Sequence, residues 1–297
     1  MINSTLQTKT TAKELISEFN TLQNPIQAKN LQRFFKTEKG QYGEGDVFLG
    51  IKVPVQRQTI KKYSLNLKEI NVLLKSKIHE HRLTGLFALI QEYNKVTKMK
   101  KINTGKIINA KITKTPQTKK TNTTQIQNAK TTKKTNSENS EELKKEKEIV
   151  DFYLQKVKEN KVNNWDLVDL SAPNILGKYL LTRKEERNLL NKLSSSNKLW
   201  EKRVSILATF EFIKNKESKE IIEISEKILK ENQKDSLRNH DLIQKALGWM
   251  LREMGKRISE KVLTDFLDKH KKEMPRTMLR YAIEKLSEKQ RKKYLQK

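Results

Sequence analysis

The chain contains no cysteine, so disulfide frameworks, thiolate metal sites and cysteine nucleophiles are all excluded. Histidine is scarce as well: His79 and His81 lie two apart, and His240 and His270 are isolated. No HExxH or i, i+4 histidine pair exists, so neither a metal site nor a metal cofactor is expected. The nine glycines form no GxGxxG and no GxxxxGK[ST], which removes the usual dinucleotide and nucleoside-triphosphate cradles. No apolar run approaches the roughly 18 residues that cross a bilayer. The N-terminus MINSTLQTKTTAKEL has no hydrophobic signal core, and a soluble, non-secreted protein is expected.

What is abundant is positive charge. Across 297 residues, 63 Lys and Arg oppose 35 Asp and Glu, a formal charge of +28. The mean hydropathy is −0.81, yet 35% of residues are hydrophobic, enough for one large or two medium cores. Such a balance favours a polyanionic partner, DNA or RNA first and an acidic membrane surface second. The charge is uneven. Lys95 to Asn136 carries twelve lysines and no acidic residue, interleaved with Thr, Asn and Gln. The composition predicts a flexible, basic, low-complexity insertion at about 96–139 within a single domain spanning 1–297. Nonspecific DNA attraction and compositional drift in a tolerated surface loop are equally good accounts of it. The folded part keeps an excess of sixteen positive charges without it.

Elsewhere the chain reads as helix after helix. Asn24 before Pro25 is an N-cap followed by proline at the first helical position, and Pro54 opens the next helix in the same way. Leu67, Ile70, Leu73 and Leu74 share one face after Asn66. No hairpin signal and no long alternating strand appears. About a dozen short helices with brief connections predict an all-α protein, a curved α-solenoid of stacked antiparallel HEAT-like pairs. Trp165, Trp200 and Trp249 recur at spacings compatible with helical repeats. A generic bundle satisfies periodicity equally well.

Four segments have compositions unusual for structural helices. Residues 33–63 concentrate Gly40, Gly43, Gly45 and Gly50 beside Phe34, a pattern that also suits a tight inter-helix turn. In NNWDLVDLSAPNILG, Trp165 and Asp169 lie four apart and share a helix face, with Asp166 pointing elsewhere. An aromatic plane beside a carboxylate can surround a developing cation. Trp200–Arg203 and Trp249–Arg252 repeat an i, i+3 relation. Taken singly, each tryptophan is more often core than site. Asp169 alone is as well read as an N-cap or an ion-pair member. Their joint occurrence beside ionic residues in a basic helical protein shifts the balance towards a site.

Together FFKTEKGQYGEGDVFLGIKVPVQRQ, NNWDLVDLSAPNILG, LWEKRVSILATF and QKALGWMLREMGKR resemble, in order, the DNA alkylation repair family of AlkD-type alkylpurine DNA glycosylases, which are HEAT-like repeat proteins. The stretches span Phe34 to Arg257, interrupted by the basic insertion. The resemblance implies monofunctional hydrolysis of the N-glycosidic bond of cationic N3- or N7-alkylated purines in double-stranded DNA, with the base still stacked. It implies Asp169 against the deoxyribose, Trp165 and Trp249 around the lesion's sugar and backbone, Arg203 and Arg252 on phosphates, and Phe34 at a position where other members carry a different aromatic. No cofactor and no membrane are implied, and a DNA-associated intracellular monomer is expected. A non-enzymatic HEAT-like protein binding damaged or branched DNA is the alternative, since phosphate binding does not need Asp169. A solenoid adaptor for an acidic protein is a third.

Overall fold

The computed structural model describes residues 9–112, 122–231 and 236–296, with the side chains of 99–139 outside that description. The helices are α1 (Ala12–Thr21), α2 (Pro25–Phe34), α3 (Val53–Ile60), α4 (Leu67–Leu74), α5 (His79–Ile112), α6 (Asn122–Lys158), α7 (Trp165–Ala172), α8 (Lys178–Leu181), α9 (Asn188–Ser194), α10 (Leu199–Lys214), α11 (Lys219–Lys230), α12 (Asp241–Arg257), α13 (Glu260–His270), α14 (Arg276–Ala282) and α15 (Glu288–Leu295). A π-helical turn, Pro173–Gly177, joins α7 to α8. No strand is formed among the described residues, and the protein is all-α with a solenoid-like architecture. Of the basic insertion expected at 96–139, the backbone is helical to Ile112 in α5 and again from Asn122 in α6, whereas 113–121 and the side chains of 99–139 lie outside the described residues.

Local chemistry sets the helix boundaries. Asn24 caps α2 by accepting from the Gln27 amide, with Pro25 at the first position, and Asn66 caps α4 through the Glu69 amide. α3 departs from expectation. It starts at Val53 and so places Pro54 second, and Lys52 has no oxygen with which to cap it. The Gln56 side chain instead donates to the Ile51 carbonyl just ahead of the helix.

Successive helices are laid down in two layers. One layer runs α5, α7, α10, α12, α14, and the other carries α4, α6, α9, α11 and α13. Apolar residues such as Leu167, Val204, Ile206, Leu247 and Met250 lie fully or almost fully buried between them, which is where the stabilising burial of roughly 25 cal/mol per Å² is concentrated. Neighbouring helices in the first layer run parallel. Arg203 of α10 meets Leu242 of α12, and seven residues further along both helices Phe210 meets Trp249. α12 and α14 approach so closely that a Cβ on Gly248 would lie 2.5 Å from the Met278 carbonyl oxygen, a contact only glycine allows. Side chains on the open face of α7, α10, α12 and α14 therefore line up across one surface.

Candidate active site

The first turn of α7 is fixed from outside the helix. Asn164 is fully buried; its side-chain oxygen accepts from the Trp165 amide at 2.8 Å, and its Nδ2 donates to Asp46 at 3.1 Å. Asp46, in the loop between α2 and α3, also receives the Arg82 guanidinium and His79 Nδ1, the latter at 3.0 Å. Burial works against ionisation of Asp46, but the His79 hydrogen bond and the Arg82 charge overcome it and hold the carboxyl below its ordinary range. The other nitrogen of His79 lies 2.8 Å from Asp166.

The same loop supplies an aromatic wall. Trp165 stacks on Phe35 at 5.2 Å, Phe35 on Phe48 at 5.1 Å, and Phe48 on His79 at 4.7 Å. Phe34, 63% exposed, meets Trp165 edge-on at 5.8 Å. The loop is pinned by Glu80, whose carboxylate accepts from the amides of Leu49, Gly50 and Ile51. Gly50 has φ +79° and lies against the Asn24 carbonyl, so only glycine fits there.

Asp169 stands one helical turn beyond Trp165, and its side chain is 17% exposed. Arg203, buried on α10, grips it with Nε to Oδ1 at 3.0 Å and Nη2 to Oδ2 at 2.8 Å, and donates from Nη1 to the Leu242 carbonyl. Burial pushes the Asp169 carboxyl up to about 6, against the pull of Arg203 and with a further rise from Asp166. It is therefore ionised at neutral pH yet poised to take a proton just below it. Pro173 has no amide hydrogen to return to the Asp169 carbonyl. The helix opens at that point into the π turn, where the Asn174 side chain donates to the Leu170 carbonyl at 2.8 Å, the kind of local irregularity frequent at functional sites.

The six site residues expected from sequence fall into two groups. Phe34, Trp165, Asp169 and Arg203 are brought together. Trp249 and Arg252 lie further along α12, Trp249 half-buried with its ring 6.1 Å from Phe210. Arg252 is ion-paired to Glu284 and Glu253. Trp200, by contrast, is 7% exposed core. Both arginines expected on phosphates are thus occupied by carboxylates in the free protein. Between the two groups stand residues that sequence reasoning missed. Lys36 lies 5.8 Å over the Tyr42 ring, and Lys245 donates to Asp241 at 2.8 Å beside His240. Burial pushes the Tyr42 hydroxyl up and the His240 imidazole down. Lysines and a tyrosine distributed over one helix and a distant loop carry no spacing signal. No cluster of metal-ligating side chains occurs among the described residues, and no described helix is long and apolar enough to cross a membrane.

A family model described as DNA alkylation repair enzyme matches residues 15–115 and 125–286. A solved structure titled a predicted DNA alkylation repair enzyme from Enterococcus faecalis is similar in fold. It is 14% identical with a TM-score of 0.56, and the match covers 90% of this chain and 97% of that one. No curated protein matches the sequence.

Proposed function

The chain belongs to the DNA alkylation repair enzyme family, which gives it a role in DNA repair, and from that premise we propose that it is a monofunctional DNA glycosylase acting on cationic N3- or N7-alkylated purines in duplex DNA. The observation that carries the reading is Asp169: a partly exposed carboxylate, oriented by Arg203, one turn from an aromatic wall and on the face of the layer that also holds Trp249.

Alkylation at N3 or N7 makes the purine cationic, so it leaves without a general acid. As the C1′–N bond breaks, its electron pair goes to the base, which departs neutral, and positive charge builds on the sugar in an oxocarbenium-like transition state. An ionised Asp169 stabilises that charge and accepts a hydrogen bond from the water whose oxygen bonds to C1′; the water's proton passes to the carboxylate or to solvent. Trp165 and Trp249 add cation–π attraction of about 0.5–2 kcal/mol each. Arg203 acts here by holding the Asp169 oxygens rather than by reaching a phosphate. Arg252 reaches the backbone by exchanging Glu284 for phosphate, and Lys36 and Lys245 join it. The reaction requires no lysine nucleophile, so the product is an abasic site in an unbroken strand. A base-selective pocket is not required, because the lesion's own charge and weak glycosidic bond select it. The protein acts as a monomer, inside the cell, where the DNA lies.

One observation favours a second reading. Both Asp169 oxygens are engaged by a buried arginine that bridges α7, α10 and α12, which suits a non-enzymatic DNA-binding protein in which the pair only joins helices. Release of 7-methylguanine and 3-methyladenine from alkylated duplex decides between them. The glycosylase reading expects release by the wild type, a loss of roughly 100-fold or more in Asp169→Asn, and nearly unchanged duplex affinity. A wild type that binds duplex and releases nothing establishes the second reading.

A further inference from the structure

His79 sits at the start of α5, its side chain only 3% exposed, with a carboxylate on each ring nitrogen: Asp46 Oδ2 at 3.0 Å from Nδ1 and Asp166 Oδ2 at 2.8 Å from Nε2. A neutral imidazole has one N–H and satisfies one carboxylate; two ionised acceptors require the imidazolium, which donates from both. The charges then balance, with Asp46 and Asp166 opposed by His79 and Arg82. The flat face of the ring lies on Phe48 at 4.7 Å and near Phe35 at 4.8 Å, where a cation is attracted by the aromatic π-systems.

The position of this cation matters more than its burial. Asp166 follows Trp165 directly and precedes Asp169 by three residues, so it sits on the turn that presents both. Asp46 belongs to the loop that supplies Phe48 and, through Gly50 and Glu80, stays docked on α5. Among the described residues His79 is the one side chain that bonds to both carboxylates. Resting on the glycosylase reading, we propose that His79 is a positioning residue for base excision. As an imidazolium it ties the first turn of α7 to the aromatic loop, and so holds the helix face that carries Trp165 and Asp169 in place against the aromatic wall for the reacting sugar.

The surrounding groups agree with a cation at this position. Asp46 faces it from the loop, Asp166 from α7 and Arg82 from its own helix, while Glu80 is turned to the loop amides. Asp169 and Arg203 stand one turn further on and are paired with each other. Burial opposes the charge, but Asp166 and Asp46 raise the imidazole to about 9. The tie is therefore made at neutral pH and released in mild alkali.

The test uses the full chain and three readouts. In the free protein at pH 7.5, ¹⁵N shifts of the His79 ring report both nitrogens protonated; a neutral-ring signature overturns the proposal. In single-turnover release of 3-methyladenine from duplex, His79→Gln, which is uncharged and donates from a single nitrogen, lowers the rate at least tenfold at pH 7.5 with duplex affinity within twofold. After the base loss of enzyme-free duplex is subtracted from both, the ratio of wild-type to variant rate falls towards one between pH 8 and pH 10, while substrate ionisation, common to both proteins, cancels. An unchanged rate, or a ratio that stays constant with pH, overturns the proposal. Should His79→Gln not fold, Asp166→Asn removes one of the two charges at constant size and is held to the same outcomes. A wild type that releases no base at any pH removes the glycosylase reading itself, whereas an active wild type with an indifferent His79→Gln removes only this inference.

Discussion

Trp200–Arg203 and Trp249–Arg252 have the same i, i+3 spacing on parallel neighbouring helices, yet the structure treats them in opposite ways. Trp200 is core and Arg203 is buried in a bidentate grip on Asp169. Trp249 stays half-exposed beside Phe210, whose ring also carries Lys214 at 5.4 Å and Arg257 at 5.1 Å. Arg252 pairs with Glu284 near solvent. The α7/α10 end is pre-organised, with nearly every polar group satisfied by protein. The α12/α14 end is held by ion pairs nearer to solvent, which the proposed function exchanges for phosphate. A spacing defines neighbours along a helix, while the direction in which the helix faces decides whether those neighbours do chemistry, bind, or pack.

The contrast can be broken first on stability. Trp200→Ala is expected to cost about 3–5 kcal/mol in urea unfolding, as for large buried aromatics, and Trp249→Ala less than half of that; equal losses would mean that the two tryptophans are equivalent. Next is the pH dependence of folding. His79 titrates near 9 in the folded chain against an ordinary 6.5, so its contribution is complete below pH 6.5 and is lost as pH rises through 9. That loss amounts to up to about 3 kcal/mol, seen as a fall in Tm that Asp166→Asn flattens. Activity sharpens the comparison further. Trp165→Ala is expected to slow single-turnover excision by about 10–30-fold and Trp249→Ala by less.

Smaller effects should come from Asp169 titration and from Arg252. Because the Asp169 carboxyl is raised to about 6 and acts ionised, the excision rate is expected to fall about tenfold per pH unit below 6. It should level off as neutrality is approached, and the limb should be absent from the residual activity of Asp169→Asn. Arg252→Ala is expected to weaken duplex binding a few-fold and to lower the salt slope by about 1. Glu284→Gln should shift affinity the other way, since it frees the guanidinium. An affinity indifferent to both would take the α12/α14 end out of the DNA contact.

Much of the fold can be read in advance because helix formation is local. The N-caps at Asn24 and Asn66, the apolar face of Leu67 to Leu74 and the Trp165–Asp169 register all follow from a period of 3.6 residues and a capping oxygen. Asp169 and Trp165 can be picked out as site candidates for the same reason, since both lie in one unbroken stretch. His79 was not, although HEHR is plain in the sequence. Its meaning depends on Asp46, 33 residues earlier, and Asp166, 87 residues later, and no period connects those distances. The π turn at Pro173 was missed because proline marks an interruption without saying what form it takes.

The residues alone therefore determined that this protein is helical, strongly basic and equipped with a tryptophan and a carboxylate on one helix face, because those properties depend on composition and on neighbours within a few residues. Tertiary structure decided the rest: which tryptophan is core, which arginine is buried against Asp169 and which is paired near solvent, and that a buried histidine lies between two carboxylates. Each of those outcomes depends on solvent being removed from a particular group by helices distant in the chain, and desolvation is a property of the packed layers rather than of any local segment.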